Sequence, residues 1–251
     1  MIHETEIRTI FVGDIAFNRD VTPNRERTSI GGAAYYSAVG AIAAHRIEGL
    51  DSTVGIVSTV GGDFDVGNLL KKGVDIQGVS QISNERTCRF TIIQHEDNTR
   101  EFEAERFVAE NVDTNIFPMS YLSAKYIHLA TSLPHNYLIW LKFLNTKTGA
   151  IISADAFEPF ASQYPQLMIT VLNMTKLIFI NEAEVNILSK KGTLRTDIPW
   201  VFKSGVKGAS YIEGTNKTTV SAPKVCVVET TGAGDVLAGA FLALLSHNFD
   251  V

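Results

Sequence analysis

Cysteine is scarce in this chain. Only Cys88 and Cys226 occur in 251 residues, and they sit far apart. That excludes a disulfide framework and a cysteine metal cluster, and it fits a reducing cytoplasm. Lysine and arginine form no block, and 22 basic against 27 acidic side chains leave a net charge of −5. A mildly acidic chain of this kind excludes general binding to a phosphate backbone, so no nucleic-acid partner is expected. With no basic helix, no membrane partner is expected either. The longest strongly apolar run, Val236 to Leu245, is about half a bilayer span. The N-terminus carries Glu4, Glu6 and Arg8 where a secretory signal would have a basic start and an apolar run. A soluble, cytoplasmic protein is expected.

Several catalytic patterns are also missing. There is no G-x-x-x-x-G-K-[ST] and no G-x-G-x-x-G, which argues against P-loop enzymes and dinucleotide-binding dehydrogenases. The six histidines are scattered and no H-E-x-x-H occurs, which disfavours a metallohydrolase. The absence of G-x-S-x-G disfavours an α/β-hydrolase.

The chain does have an ordinary globular balance, 45% hydrophobic and 20% charged. Its length allows one large domain, residues 1–251, that buries roughly 70–75% of its unfolded surface without a staple. Short apolar runs alternate with helical patterns. Ile7–Val12, Thr53–Val60, Lys125–Ala130, Ala150–Ala154 and Leu177–Ile180 read as strands. Ala33–Ala44, Phe64–Lys72, Asn136–Asn145, Gln163–Asn173 and Glu182–Leu188 read as helices. This alternation predicts an α/β fold with a mostly parallel, doubly wound sheet. One region departs from it. Thr87–Gln94 and Arg100–Arg106 read as a hairpin with one wet face, because Phe102 and Ala104 alternate with Glu101, Glu103 and Glu105. Such a hairpin serves either as a lid or dimer arm, or as a plain edge extension.

The strongest chemical signal is Val227-Val228-Glu229-Thr230-Thr231-Gly232-Ala233-Gly234-Asp235, followed by the apolar run Val236–Leu245. It reads as a strand, a tight glycine turn and a helix start. Glycines let backbone amides approach a ligand, and the helix N-terminus favours an anion such as phosphate. Asp235 then falls in the first helical turn, where a carboxylate can take a proton from a substrate hydroxyl or simply complement the helix dipole.

Thr230-Thr231-Gly232-Ala233-Gly234-Asp235 resembles the C-terminal signature of the ribokinase-like (PfkB) carbohydrate and nucleoside kinases. Further marks occur in that family's order: Gly31-Gly32 opening a small-residue helix, Val60-Gly61-Gly62-Asp63 with Gly67 and Gly73-Val74-Asp75, Asn181-Glu182-Ala183-Glu184, and Gly205 with Gly208. The resemblance spans nearly the whole chain. It implies a three-layer αβα fold with a small β lid built from segments near 13–30 and 84–107. It implies Asp235 as catalytic base and Gly232, Ala233 and Gly234 as anion hole. Asn181, Glu184 and Thr231 would serve ATP, with Glu184 also organising Mg²⁺. The turn carrying Lys203, Ser204, Gly205 and Gly208 would lie along the nucleotide. Asp14, Asn18, Gly31, Gly32 and Thr131 would face the acceptor. Asn181-x-x-Glu184 equally fits a helix N-cap with glutamate three residues on. Tyr35 and Tyr36 either stack on a ring or fill core.

Some positions depart from the pattern. Asn18 stands where many members have an Asp, and Ala33 and Tyr36 replace a polar pair. Thr131 falls where ribokinases carry a Glu, and Glu229 replaces the Asp that often joins a K⁺ site. The pocket so described is less charged and more aromatic than a ribose grip. The run Val236–Leu245 is apolar on every face and requires burial on both sides, yet only Ser246–Val251 follow it, short for the family. The resemblance implies Mg·ATP-dependent phosphoryl transfer to an alcohol of a sugar, polyol or nucleoside, with a homodimer as the expected assembly. The alternative is a catalytically weak metabolite-binding protein on the same fold.

Overall fold

The computed structural model describes residues 6–95, 100–110, 112–227 and 230–251. A nine-stranded sheet runs in the order β13 (Asn216–Val220), β12 (Ala209–Glu213), β11 (Trp200–Lys203), β10 (Leu177–Asn181), β9 (Ile151–Asp155), β8 (Tyr126–Leu129), β1 (Ile7–Val12), β4 (Thr53–Gly61), β5 (Val74–Ile82). Every neighbouring pair from β11 to β5 is parallel, and only the β11–β12 and β12–β13 pairs are antiparallel. The parallel strands are near-continuous apolar runs because both their faces are covered.

Successive side chains on a strand point to opposite faces, and the packing follows that alternation. Ile10, Val12, Ile127, Leu129, Ile152, Ala154, Ile178 and Ile180 enter one core. It is closed by α3 (Pro134–Lys147), α4 (Glu158–Gln163), α5 (Pro165–Asn173) and α6 (Glu182–Leu188). Phe11, Val54, Ile56, Tyr126, Leu177, Phe179 and Val201 enter the other. It is closed by α1 (Ala33–Glu48), the short α2 (Gly67–Leu70) and α7 (Ala233–Ser246). The result is three layers, helices on both sides of one sheet. The helix expected over 163–173 is α5, which opens at Pro165, a favourable first-turn residue, while Gln163 instead ends α4. The helix expected over 64–72 shrinks to α2.

α1 and α7 touch backbone to backbone. A Cβ on Gly239 would lie 1.8 Å from the Ser37 carbonyl oxygen, and one on Gly40 would lie 2.3 Å from that of Val236. The alanines along α1 extend this close crossing. α7 buries Ala238, Gly239, Leu242 and Ala243, while Leu237, Phe241 and Leu244 stay partly exposed. The burial on both sides that its composition demands is therefore only half met.

A second, four-stranded sheet has the order β3 (Arg25–Gly31), β2 (Ala16–Thr22), β6 (Cys88–Gln94), β7 (Arg100–Glu105). Besides the expected 87–106 hairpin, it holds a β2–β3 hairpin that pairs in parallel with β6. Asp63 fastens this sheet to the end of β4. Its carboxylate accepts from Thr87 N (2.8 Å), Thr87 Oγ1 (2.6 Å) and Arg89 Nη2 (2.7 Å). The strand expected at Val227–Glu229 is not borne out at Val227. Residues 221–227 form no regular element, and 228 and 229 lie outside the described residues. Among the described residues β13 is the edge strand of the sheet, and Val225 and Val227 lie exposed outside it.

Candidate active site

The C-terminal ends of parallel strands gather at one edge of the sheet, where open α/β sheets place their ligands. A cavity of about 300 Å³ opens there. Its lining includes Asp14, Asn18, Gly32, Thr131, Glu184, Lys203, Thr231, Gly232, Gly234 and Asp235, all anticipated from sequence. Gly31, Asn181, Ala233, Ser204, Gly205 and Gly208 are not part of the lining.

The glycine turn is built as its sequence suggests. Gly232 has φ 76°, a left-handed conformation that a β-carbon disfavours. α7 starts at the next residue. The amides of a first helical turn lack intrahelical acceptors, so this end offers N–H groups and the positive end of the helix dipole to an anion. The Ala233 amide is already spent on the Thr230 carbonyl at 3.2 Å. Asp235 stands in that first turn, and burial, reinforced by the Asp155 carboxylate, pushes its pKa up to about 8 despite the opposing charge of Lys203.

Asn181 and Glu184 do form a capping box at the start of α6. Asn181 Oδ1 accepts from Glu184 N at 2.9 Å, and Glu184 Oε2 accepts from Asn181 N at 2.8 Å. The structural reading of this motif therefore holds, and it also aims Glu184 at the cavity. Burial raises the Glu184 pKa to about 7, against the pull of Lys203. Lys203, the last residue of β11, forms a buried ion pair with Asp155 at the end of β9. Burial acts to lower the Lys203 pKa, but the carboxylates of Asp155, Glu184 and Asp235 outweigh it and the net direction is upward.

The opposite part of the lining comes from the first two strands and the small sheet. Gly32 has φ 93°, and a Cβ there would lie 2.3 Å from the Asp14 carbonyl oxygen. Gly31 makes room for Asn18, whose side chain would sit 2.3 Å from a Cβ on it. Asn18 Nδ2 donates to Tyr36 Oη at 3.1 Å, whereas the buried Oδ1 has no partner. That unpaired acceptor suits a hydroxyl or amide donor on a ligand. Tyr36 thus belongs to the site and Tyr35 to the core. Burial raises the Asp14 pKa to about 6, opposed by Arg106.

Residues that sequence reasoning passed over complete the wall. Phe90, Ile92 and Phe102 come from β6 and β7, Phe157 and Phe160 from the start of α4, and Arg106 from the end of the β7 hairpin. The rings run in a chain: Phe90 to Phe102 at 5.4 Å, Phe102 to Phe157 at 6.4 Å, Phe157 to Phe160 at 5.2 Å between centroids. Arg106 lies over Phe160 at 5.4 Å. Asp155, the last residue of β9, also lines the cavity. Glu229 lies outside the described residues.

No helix among the described residues is long and apolar enough to cross a membrane. The family model for pfkB family carbohydrate kinases matches residues 2–251. A cytidine kinase of Thermococcus kodakarensis is 27% identical over 250 residues, covering 93% of this chain and 87% of the relative. Among solved structures, a nucleoside kinase of Methanocaldococcus jannaschii, an archaeal member of the ribokinase family, superposes with a TM-score of 0.77 at 22% identity, covering 98% of this chain and 87% of that one. An E. coli protein solved in complex with ATP and Mg²⁺ gives 0.78 at 21% identity, covering 98% and 88%.

Proposed function

The chain belongs to the pfkB family of carbohydrate kinases, and from that premise we propose that it transfers the γ-phosphoryl group of ATP to a hydroxyl of a nucleoside. Phosphoryl transfer to an alcohol follows from the family; the choice of nucleoside rests on the chain of phenylalanine rings along the cavity. A free sugar presents only a small C–H face to such rings, whereas a nucleobase presents a whole aromatic ring that gains from offset or edge contacts with them. The relatives that are nucleoside kinases support the same reading.

In this reading the acceptor lies with its sugar over Gly32, and Asn18 Oδ1 and the Asp14 carboxylate accept from its hydroxyls. The reacting hydroxyl donates to Asp235. As the acceptor oxygen bonds to phosphorus, its proton passes to the Asp235 carboxylate and the bond from phosphorus to the bridging oxygen of ADP breaks. The Gly232 and Gly234 amides face the oxygens of the phosphoryl group in transfer, where fixed donors stabilise developing charge most effectively. Asn181, Thr231 and the turn Ser204, Gly205 and Gly208 would serve the nucleotide from behind that turn.

The residues present also fit Mg²⁺, which usually binds through one or two carboxylates together with phosphates and water. Glu184 is a buried carboxylate that burial drives toward its neutral form, and a cation beside it would restore its charge. When bound, Mg²⁺ neutralises and orients the phosphate oxygens.

The test is ADP release with Mg·ATP against a panel of nucleosides, sugars and polyols, with Asp235→Asn as paired control. Nucleosides should give kcat/KM at least about 100-fold above ribose, from loss of base contacts worth a few kcal/mol, and the control should be silent. A sugar turned over better than any nucleoside would overturn the substrate class. Near-normal turnover by Asp235→Asn would overturn the base.

A further inference from the structure

β11, β10 and β9 lie side by side and parallel, so their C-terminal ends meet at the cavity. Lys203 pairs in register with Asn181 on β10, and Asp155 pairs with Phe179 two residues lower on the same strand. The lysine side chain therefore reaches across the end of β10 to meet the Asp155 carboxylate on the strand beyond. On its way it passes the glycine turn. A Cβ on Gly234 would lie 3.3 Å from Lys203 Nζ and 3.5 Å from its Cδ. The ammonium is thus held against the residue that precedes Asp235, at the mouth of the anion-binding turn.

A stability role does not account for this pair. Burying two charges costs about as much as their attraction returns, so an apolar pair would serve the fold as well. The geometry instead leaves the ammonium with work to do. It carries three donors, and the bond to Asp155 uses one. The other cation of the lining, Arg106, faces Asp14 in a different part of the cavity. Around Lys203 stand three carboxylates, Asp155, Glu184 and Asp235. A triphosphate would bring more negative charge into this corner, and Lys203 is the fixed positive charge nearest the turn.

We infer that Lys203 is a catalytic cation for the phosphoryl group in flight, and that Asp155 is the positioning residue that holds its ammonium beside Gly234. Lys203 donates to an oxygen of the transferring group as the acceptor oxygen–phosphorus bond forms and the phosphorus–oxygen bond to ADP breaks. It neither gains nor loses a proton, since the hydroxyl proton goes to Asp235. This inference rests on the phosphoryl-transfer reading above but not on the acceptor being a nucleoside.

The test compares wild type with Lys203→Met/Asp155→Asn, Lys203→Met and Asp155→Asn, using whichever acceptor the wild type turns over fastest. The double variant removes both charges together and so leaves no unpaired buried ion. It should lose about 100-fold in kcat, the usual scale for one fixed donor on a transition state, with KM for ATP within about threefold. A binding readout separates this from a general fault. By calorimetry, Mg·ADP should bind the double variant as it binds wild type, while the extra affinity that aluminium fluoride and the acceptor add should be largely lost. Asp155→Asn should cost about tenfold in kcat alone and nothing further in the Lys203→Met background, because it acts through the lysine. If the double variant does not fold, as judged by its thermal unfolding, Lys203→Gln takes its place. The inference falls if kcat stays within twofold of wild type. It falls equally if Mg·ADP and the aluminium fluoride complex weaken together, which would make Lys203 a nucleotide anchor only. An equal cost of Asp155→Asn in both backgrounds would remove the positioning role. A wild type that favours a sugar overturns the nucleoside reading and leaves this comparison intact.

Discussion

Arg106 Nη1 stands 3.4 Å from Asp14 Oδ2, and this contact joins the end of the small sheet to the end of β1. Both side chains are largely buried, and Arg106 also covers Phe160. The acid on the cavity floor is thus balanced by a residue delivered from the covering sheet.

Arg106→Gln should therefore disturb acceptor binding more than catalysis. Without the guanidinium, only the Ser132 hydrogen bond opposes burial at Asp14, and its pKa of about 6 rises further. Acceptor KM should increase roughly tenfold at neutral pH, as expected when a charged hydrogen-bond acceptor is neutralised, with a smaller change in kcat. Steady-state kinetics between pH 6 and 8 check this.

Asp235 couples activity to a stability cost. Its folded pKa of about 8 lies above the ordinary 3.8. Between those values the folded protein holds a proton that the unfolded chain has released, so stability falls as pH rises through this window. Asp235→Asn cannot ionise and should escape that loss. Its thermal midpoint should exceed that of wild type by a margin that widens from pH 5 to pH 9. The wild-type rate should rise over the alkaline part of the same window, because the base acts only when ionised. Parallel melting curves at all pH values would contradict the assignment.

Phe102 is about half exposed, at 49%, which is unusual for a phenylalanine that serves only packing. Its ring meets both Phe90 and Phe157. Phe102→Ala should raise KM for a nucleoside several-fold, on the order of 1 kcal/mol, and leave KM for a free sugar unchanged. Equal effects on the two acceptors would assign the ring to the fold.

Gly32→Ala introduces a methyl group where φ is 93° and the Asp14 carbonyl oxygen would be 2.3 Å away. The strained backbone alone costs about 1–3 kcal/mol. Chemical unfolding should show a loss of at least that size, together with weakened acceptor binding, since Asp14 has to move.

Much of the fold was readable from local patterns. The apolar runs of β1, β4, β8, β9 and β10 and the alanine-rich α1 fall where periodicity puts them. The glycine turn before α7 was also legible, because φ above zero and close backbone approach both demand glycine. Two kinds of feature were not legible. Asp155 and Lys203 meet because β9 and β11 flank β10, and nothing in their own neighbourhoods encodes that order. Phe90, Phe102, Phe157 and Phe160 look like any core residues in sequence, and only the small sheet and the start of α4 turn them toward the cavity. The strand expected at Val227–Glu229 shows the opposite error at its first residue. β-branched residues favour a strand, but that propensity yields to context, and Val227 lies exposed outside the sheet.

The backbone contact between α1 and α7 has a bearing on how this protein can diversify. α1 begins directly after Gly32 and α7 directly after Gly232, the two places where the proposed pose puts the acceptor and the phosphate. Where the two helices cross, Gly40 and Gly239 leave no side chain between them. In that pose the separation between hydroxyl and phosphoryl group is gauged by peptide atoms, which mutation does not resize. Drift in substrate choice has to enter through the small sheet and α4, while the reaction distance is inherited unchanged.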